Sequence, residues 1–194
     1  MSRALATILA AALMFAAPGF AQTLGGPAPA LHTGTRLAFP PSLGGATLVQ
    51  SLVSLPAPGG RHPIYSYQYV TTNKMEISVF VFDVGRFVPT GADGPAVVSQ
   101  FAGELAEAEQ RVRSNGLTAF ERPAVPSTCT YGSVAFRCII FSATSQGSRV
   151  YAKMMMTGFR DSFVTIRIDW STLHGQTIAE ADRTLEAFVS ALMH

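Results

Sequence analysis

The chain has 194 residues, of which 14 are Lys or Arg and 12 are Asp or Glu, giving a formal net charge of +2. Proteins that bind nucleic acid carry a clustered surplus of basic residues, so this near-balance argues against nucleic acid and against an anionic membrane surface as partners. The length is that of one domain with a sizeable core.

Residues 1–21 have the pattern of an export signal. Arg3 precedes an apolar run over residues 4–17, and small residues stand before Gln22. The run is shorter than the roughly 20 residues that cross a bilayer, and no cysteine follows it to carry a lipid anchor. We predict cleavage before Gln22, a periplasmic or secreted protein, and no stable membrane insertion afterwards. An uncleaved N-terminal anchor is the alternative.

Residues 22–35 are rich in Gly, Pro and Ala and predict a flexible lead-in, in which His32 should be solvent-exposed. No repeat or second linker divides the remainder. We therefore expect residues 36–194 to form a single domain.

Several stretches after the lead-in alternate in the manner of strands. Ile64 to Val70 alternates strictly, and Thr71 to Lys74 separates it from an apolar run that is predicted to pair with it as a hairpin. Arg160 and Asp161 form a second short turn. We predict about six or seven strands in a largely antiparallel sheet, over residues 47–54, 64–70, 75–85, 139–144, 149–159 and 162–170.

Two segments have helical periodicity instead. Asp93 is the expected N-cap of the first, whose apolar stripe should place Glu104, Glu107 and Arg111 mostly on the opposite side. Thr177 and Glu180 form a capping box at the start of the second. The predicted apolar stripes are Val98, Phe101, Leu105, Ala108 and Val112 in the first helix, and Ile178, Ala181, Leu185, Phe188 and Leu192 in the second.

The stretch KMEISVFVFDVGRF is apolar on both faces, with Ile77, Val79 and Val81 on one side and Phe80 and Phe82 on the other. Such a strand must be covered on both sides, by a helix on one and by helix, loop or sheet on the other. The predicted fold class is therefore α+β, with two amphipathic helices packed on the sheet.

The two cysteines, Cys129 and Cys138, predict a structural disulfide. A four-residue loop over residues 132–135 would place them directly opposite each other in a hairpin, near disulfide geometry. A metal pair is weaker because no histidine lies nearby, and a redox pair is normally spaced C-x-x-C.

The sequence contains no G-x-S-x-G, H-E-x-x-H, Walker or G-x-G-x-x-G motif, and no cofactor or metal site is predicted. Asp169, Ser171 and His174 offer the residue types of a catalytic triad, although polar loop residues before a helix are the commoner reading. Met154 and Met156 share a strand face, where core filling is commoner than copper binding.

Tyr65, Tyr67 and Tyr69 form a row on one strand face. Tyrosine supplies flat apolar area with a polar tip, so the row is the candidate binding surface, for an unknown envelope protein or small ligand. A row half-buried beneath a helix edge, with its hydroxyls in water, is the alternative reading.

The order of elements, with the phrases ISVFVFDVG and TGFRDSFVTIRIDW, resembles the PsbP-like superfamily, including DcrB-like exported bacterial proteins of unknown function. The resemblance covers residues 36–194, implies an accessory or binding domain, and transfers no site residues. The expected function is an exported domain without catalytic activity. The alternatives are an envelope hydrolase using Asp169, Ser171 and His174, or a carrier of a small lipophilic ligand.

Overall fold

A computed structural model describes residues 23–24, 27–55, 62–115, 117–145 and 147–193. The predicted export signal lies outside the described residues. The elements are β1 (Thr23–Leu24), β2 (Leu31–His32), β3 (Leu37–Ala38), β4 (Ser42–Leu43), β5 (Ala46–Leu55), β6 (Ile64–Thr71), β7 (Glu76–Phe82), α1 (Pro95–Ser114), β8 (Thr118–Glu121), β9 (Ser127–Tyr131), β10 (Val134–Ser145), β11 (Ser148–Phe159), β12 (Ser162–Ser171), a short 3₁₀ helix (Thr172–His174) and α2 (Ile178–Met193).

The main sheet is antiparallel throughout and open, which confirms the predicted α+β class. Its strand order is β1-β5-β6-β7-β12-β11-β10-β8, with β4 beside β5 and β9 beside β10. The described residues therefore place ten strands in this sheet, and β2 and β3 form a separate pair. The count exceeds the prediction because pairs as short as Thr23–Leu24 and Ser42–Leu43 carry no periodic signal.

The central strand β7 is covered on both faces, as its sequence predicts. Ile77, Val79 and Val81 lie in one core cluster with the buried face of α2, whereas Phe80 and Phe82 lie in a second cluster with α1. The helices therefore pack on opposite faces of the sheet. We call these the α2 face and the α1 face.

The second helix follows its prediction closely. The backbone N–H of Thr177 donates to Glu180 Oε2 at 2.8 Å, and the N–H of Glu180 donates to Thr177 Oγ1 at 3.2 Å, which completes the capping box. Ile178, expected in the apolar stripe, is instead 46% exposed. The buried residues are Ala181, Leu185, Phe188, Val189 and Leu192.

The first helix begins one residue later than predicted. Its N-cap is Gly94 and not Asp93, because Pro95 supplies a helical φ at the first helical position. Because the helix begins at Pro95, Val97 is the residue that is buried in the core, whereas the prediction was Val98. The other four predicted apolar positions are buried, namely Phe101, Leu105, Ala108 and Val112.

The segment before β5 packs on the sheet, and it comprises residues 27–35 of the predicted lead-in and residues 36–43 of the predicted domain. Residues 27–43 cross the α2 face and bury Leu37 and Phe39 in its core. His32, expected in solvent, is only 7% exposed. Short strands and turns let this Gly- and Pro-rich segment pack without helical or long β periodicity.

The disulfide between Cys129 and Cys138 is present, with Cα atoms 5.9 Å apart, but the predicted hairpin register is wrong. Cys129 lies opposite Phe136 and Cys138 lies opposite Ser127. The turn has two residues instead of four, and its Gly132 adopts the positive φ of +57° that such tight hairpin turns demand.

Candidate functional site

The tyrosine row lies mainly in the core and not on a binding surface. Tyr67 and Tyr69 are 1% and 0% exposed, and only Tyr65 is half-buried. The Tyr67 ring stacks on Phe39 with centroids 3.5 Å apart. The hydroxyls of Tyr67 and Tyr69 donate to the carbonyls of residues 29 and 40, at 2.9 and 3.0 Å. The cover combines Pro29 of the predicted lead-in with Phe39 and Pro40 of the predicted domain. Because Tyr67 and Tyr69 are buried beneath it, we assign them no binding role.

Asp169, Ser171 and His174 do not assemble into a triad. Asp169 Oδ1 accepts from Arg167 Nε at 2.9 Å. The Ser171 hydroxyl accepts the backbone N–H of residue 173 at 3.2 Å and so caps the 3₁₀ helix. His174 is exposed, and no hydrogen bond joins it to Ser171 in the described part of the chain.

The three methionines fill the two cores. Met154 and Met156 are fully buried on the α1 face, and Met155 is fully buried on the α2 face. Within the described residues, no group of three or more His, Cys, Asp or Glu side chains is arranged to hold a metal ion. Packing accounts for the positions of all three methionines.

An ion pair between a buried lysine and a half-exposed aspartate ties α2 to the disulfide hairpin on the α2 face. Lys153 is 8% exposed, and its Nζ donates to Asp182 Oδ1 and to the Tyr131 hydroxyl, both at 2.6 Å. Tyr131 in turn donates to Asp182 at 3.1 Å. Each polar atom in this triad has a partner, so its arrangement is that of a structural cross-link.

A different set of charges lies on the α1 face. Arg167 is 2% exposed, and its guanidinium holds Asp169, whose side chain is 29% exposed. Glu76 lies directly opposite Asp169 in the β7–β12 register and accepts from Gln68 at 3.4 Å. Two carboxyl groups therefore face each other across neighbouring strands, and the charge of Arg167 offsets part of their repulsion.

Three half-buried residues of α1 add further charges to this set. Glu104 Oε1 accepts from Thr165 Oγ1 at 3.4 Å, which brings α1 against β12. Arg111 and Glu107 form an i,i+4 ion pair at 3.0 Å. We call the resulting set the charged groove, which comprises Glu76, Arg167 and Asp169 on the sheet and Glu104, Glu107 and Arg111 on α1.

Burial perturbs the carboxylates of the charged groove. Desolvation raises the pKa of Glu104 to about 7, and its hydrogen bonds and Arg111 only partly oppose this. Desolvation also raises the pKa of Glu76, with a further contribution from the charge of Asp169. The pKa of Asp169 is raised by burial despite the opposing charge of Arg167. Burial thus favours the uncharged form of these three carboxyl groups.

The groove opens onto an uncovered part of the sheet. The first helix packs against β8, β10 and β11, and the described residues place no comparable helix packing on the same face of β5 and β6. Leu52 lies opposite Ser66 on this face and is 40% exposed. We call this uncovered face of β5 and β6 the open sheet face.

One surface depression and the apolarity of the helices bear on the alternative functions. A surface depression of about 350 Å³ is lined mainly by polar residues, namely Gly44, Gly45, Thr71, Thr72, Asn73 and Thr184. No helix among the described residues combines the length and apolarity needed to cross a bilayer.

Charged residues within apolar strands are the sequence feature that indicates the charged groove. Glu76 begins an otherwise apolar strand, and Arg167 and Asp169 interrupt another at a spacing of two. Charged residues in strands buried on both faces are uncommon and must be paired. Helical periodicity predicts Glu104 on the polar side of α1. Its contact with Thr165 in β12 shows that it packs against the sheet.

No known protein family, curated protein or solved structure matches this chain. The resemblance to the PsbP-like superfamily therefore stays a prediction.

Proposed function

We propose that this protein is an exported accessory domain without catalytic activity, and that it binds a cationic segment of a partner protein along the open sheet face. The observation that carries the proposal is the charged groove beside that face. Membership of the PsbP-like superfamily belongs to the same proposal and rests on the order of elements.

The charge of the groove favours a cationic partner. The groove holds four carboxyl groups and two guanidinium groups, and an incoming cation would favour the ionised form of Glu76, Glu104 and Asp169, whose pKa values are raised by desolvation. A Lys or Arg side chain entering beside Glu76 and Asp169 would relieve the repulsion between their opposed carboxylates.

The shape of the surface favours an extended segment over a small molecule. Ser66, Gln68 and Leu52 provide a flat floor with both apolar area and hydrogen-bonding groups, bounded on one side by α1. A side chain projecting from an extended segment on this floor would reach the carboxylates of the groove. Such mixed surfaces are typical of non-obligate interfaces.

The binding test uses a short Lys-rich peptide, with a Glu-rich peptide of equal length as the control ligand. Isothermal titration calorimetry should detect the Lys-rich peptide alone, with an affinity that falls as the ionic strength rises. Glu76→Gln should weaken binding about tenfold. Asp161→Asn removes the same charge at the exposed β11–β12 turn and should leave the affinity unchanged.

Two results would contradict the proposal. One is the absence of binding to the Lys-rich peptide at low ionic strength. The other is equal weakening by Glu76→Gln and Asp161→Asn, which would indicate attraction to the whole protein and not to the groove.

Export is tested separately by the intact mass of the protein recovered from the periplasm. The expected mass is that of a chain beginning at Gln22. Recovery of the chain with residues 1–21 in a membrane fraction would show an anchored protein instead.

A further inference from the structure

The hairpin of β2 and β3 lies over the tyrosine row and apart from the main sheet. The His32 ring packs edge-on against Tyr65, with centroids 4.5 Å apart and planes at 77°. The hairpin is closed by main-chain bonds, including the N–H of Arg36 donating to the carbonyl of His32 at 2.7 Å. His32 is therefore the contact between this hairpin and the outer end of the row.

The hydrogen bonds of His32 define its protonation state. The backbone N–H of Thr35 donates to His32 Nδ1 at 3.2 Å, and the Thr35 hydroxyl lies 2.9 Å from the same nitrogen. A backbone N–H can only donate, so Nδ1 must carry a lone pair. The closed hairpin thus requires the neutral imidazole, with its proton on Nε2.

The surroundings of His32 favour the neutral ring as well. Burial lowers the pKa of His32, and the charge of Asp83 opposes this only in part. Asp83 is itself engaged by His62 at 2.5 Å. Arg160 brings a cation to the same hairpin, since its Nη1 donates to the Thr35 carbonyl at 2.7 Å.

We propose that the hairpin of residues 31–38 is an acid-sensitive cover, which opens when His32 is protonated and exposes Tyr65 at the end of the tyrosine row. A proton on Nδ1 removes the acceptor for the Thr35 N–H and places a charge in a buried position. This device is independent of the charged groove, which lies on the opposite face of the sheet.

Opening is confined to the part of the hairpin around His32, because Leu37 is buried in the core of the α2 face and the chain beyond it is held separately. Phe39 is stacked on Tyr67, and the carbonyl of Pro40 accepts from the Tyr69 hydroxyl. These contacts contain no group that titrates between pH 5 and 8. The inner tyrosines therefore stay covered while the Tyr65 end opens.

The direction of the pH dependence follows from linkage. The closed hairpin binds fewer protons at His32 than the open one, so closure weakens as the pH falls below the ordinary histidine value of about 6.5. Amide exchange of Thr35 measured by NMR, corrected for the intrinsic pH dependence of exchange, should lose about tenfold protection between about pH 7.5 and 5.

Two matched variants separate His32 from its neighbour. In His32→Asn, the side-chain Oδ1 takes the acceptor position of Nδ1 and does not titrate, so Thr35 protection should be independent of pH. His62→Asn removes the other histidine of this region and should keep the pH-dependent loss.

If protection of the Thr35 amide in the unaltered protein does not depend on pH, the proposal is overturned. It is also overturned if His62→Asn abolishes the loss of protection at low pH. If His32→Asn does not fold, the ring ¹⁵N shifts of His32 in the unaltered protein decide. Their titration midpoint must coincide with the loss of Thr35 protection, and a separate midpoint would overturn the proposal.

Discussion

Glu104 should make the protein less stable as the pH rises from about 4.5 to 7. Its carboxyl has a pKa of about 7 in the folded protein, against an ordinary value of 4.5. Between these values the folded state keeps a proton that the unfolded chain has released. The folded state then binds more protons than the unfolded state, so the free energy of unfolding falls as the pH increases.

The magnitude follows from the same two pKa values. Their difference corresponds to about 3 kcal/mol. Partial solvent exposure of Glu104 screens the ionised form, which lowers the expected effect to about 2 kcal/mol. Glutamine at this position can still accept the Thr165 hydroxyl hydrogen bond, so Glu104→Gln removes the titration and keeps the contact.

The assay is urea unfolding of both proteins at pH 4.5, 6, 7 and 8.5, compared as the difference between them. Glu104→Gln should be within about 0.5 kcal/mol of the unaltered protein at pH 4.5 and more stable by about 2 kcal/mol at pH 8.5. Glu186→Gln on α2 is the control, because it removes an exposed carboxylate on the other face of the sheet and keeps an acceptor for the Gly132 N–H; it should not reproduce the gain of Glu104→Gln.

A uniform loss of stability in Glu104→Gln at every pH would refute this reasoning. It would mean that Glu104 is ionised throughout and acts as a partner of Arg111. The reasoning would also fail if the stability difference from the unaltered protein grew with pH in Glu186→Gln and not in Glu104→Gln. That result would show that the overall charge of the protein dominates.

Two further changes should produce large effects on stability. Tyr67→Ala should cost about 3–5 kcal/mol in urea unfolding, because it removes a fully buried ring stacked on Phe39 and a hydroxyl hydrogen bond; a loss under about 1.5 kcal/mol would contradict its core role. Reduction of the Cys129–Cys138 disulfide should lower stability by about 2–3 kcal/mol and leave the far-ultraviolet circular dichroism nearly unchanged. Labelling by a thiol reagent before reduction would show that the disulfide is absent.

The sheet and helices were predictable because each has a local period. β6, β7, β11 and β12 alternate or form continuous apolar runs, and the turn between β11 and β12 falls at the predicted Arg160 and Asp161. The capping box located the start of α2. Local chemistry of this kind is present in the sequence itself.

The hairpin register was not predictable from the same period. A shift of two residues leaves every side chain on the same face, so alternation cannot distinguish Cys129 opposite Cys138 from Cys129 opposite Phe136. The deciding feature is the turn, where Gly132 permits two residues instead of four.

The candidate site escaped prediction for another reason. Glu104 and Thr165 are far apart in sequence, and neither helical nor strand periodicity relates them. The cover of the tyrosine row comes from residues 27–43, of which residues 27–35 have the composition of a lead-in. The Glu104–Thr165 contact and the packing of residues 27–43 on the tyrosine row are both tertiary contacts. The sequence therefore shows the tyrosines and the charged residues, but not the segments that pack against them.

The titrations of His32 and Glu104 change stability in opposite directions with pH and lie on opposite faces of the sheet. Protonation of His32 loosens the hairpin on the α2 face as the pH falls, whereas ionisation of Glu104 destabilises the α1 face as the pH rises. The combined effect places the most stable closed form between about pH 4.5 and 6.5, the unperturbed values of the two residue types. His32→Asn should remove only the acid side of that dependence and Glu104→Gln only the alkaline side. Because the residues share no partner, their effects should add in the double variant.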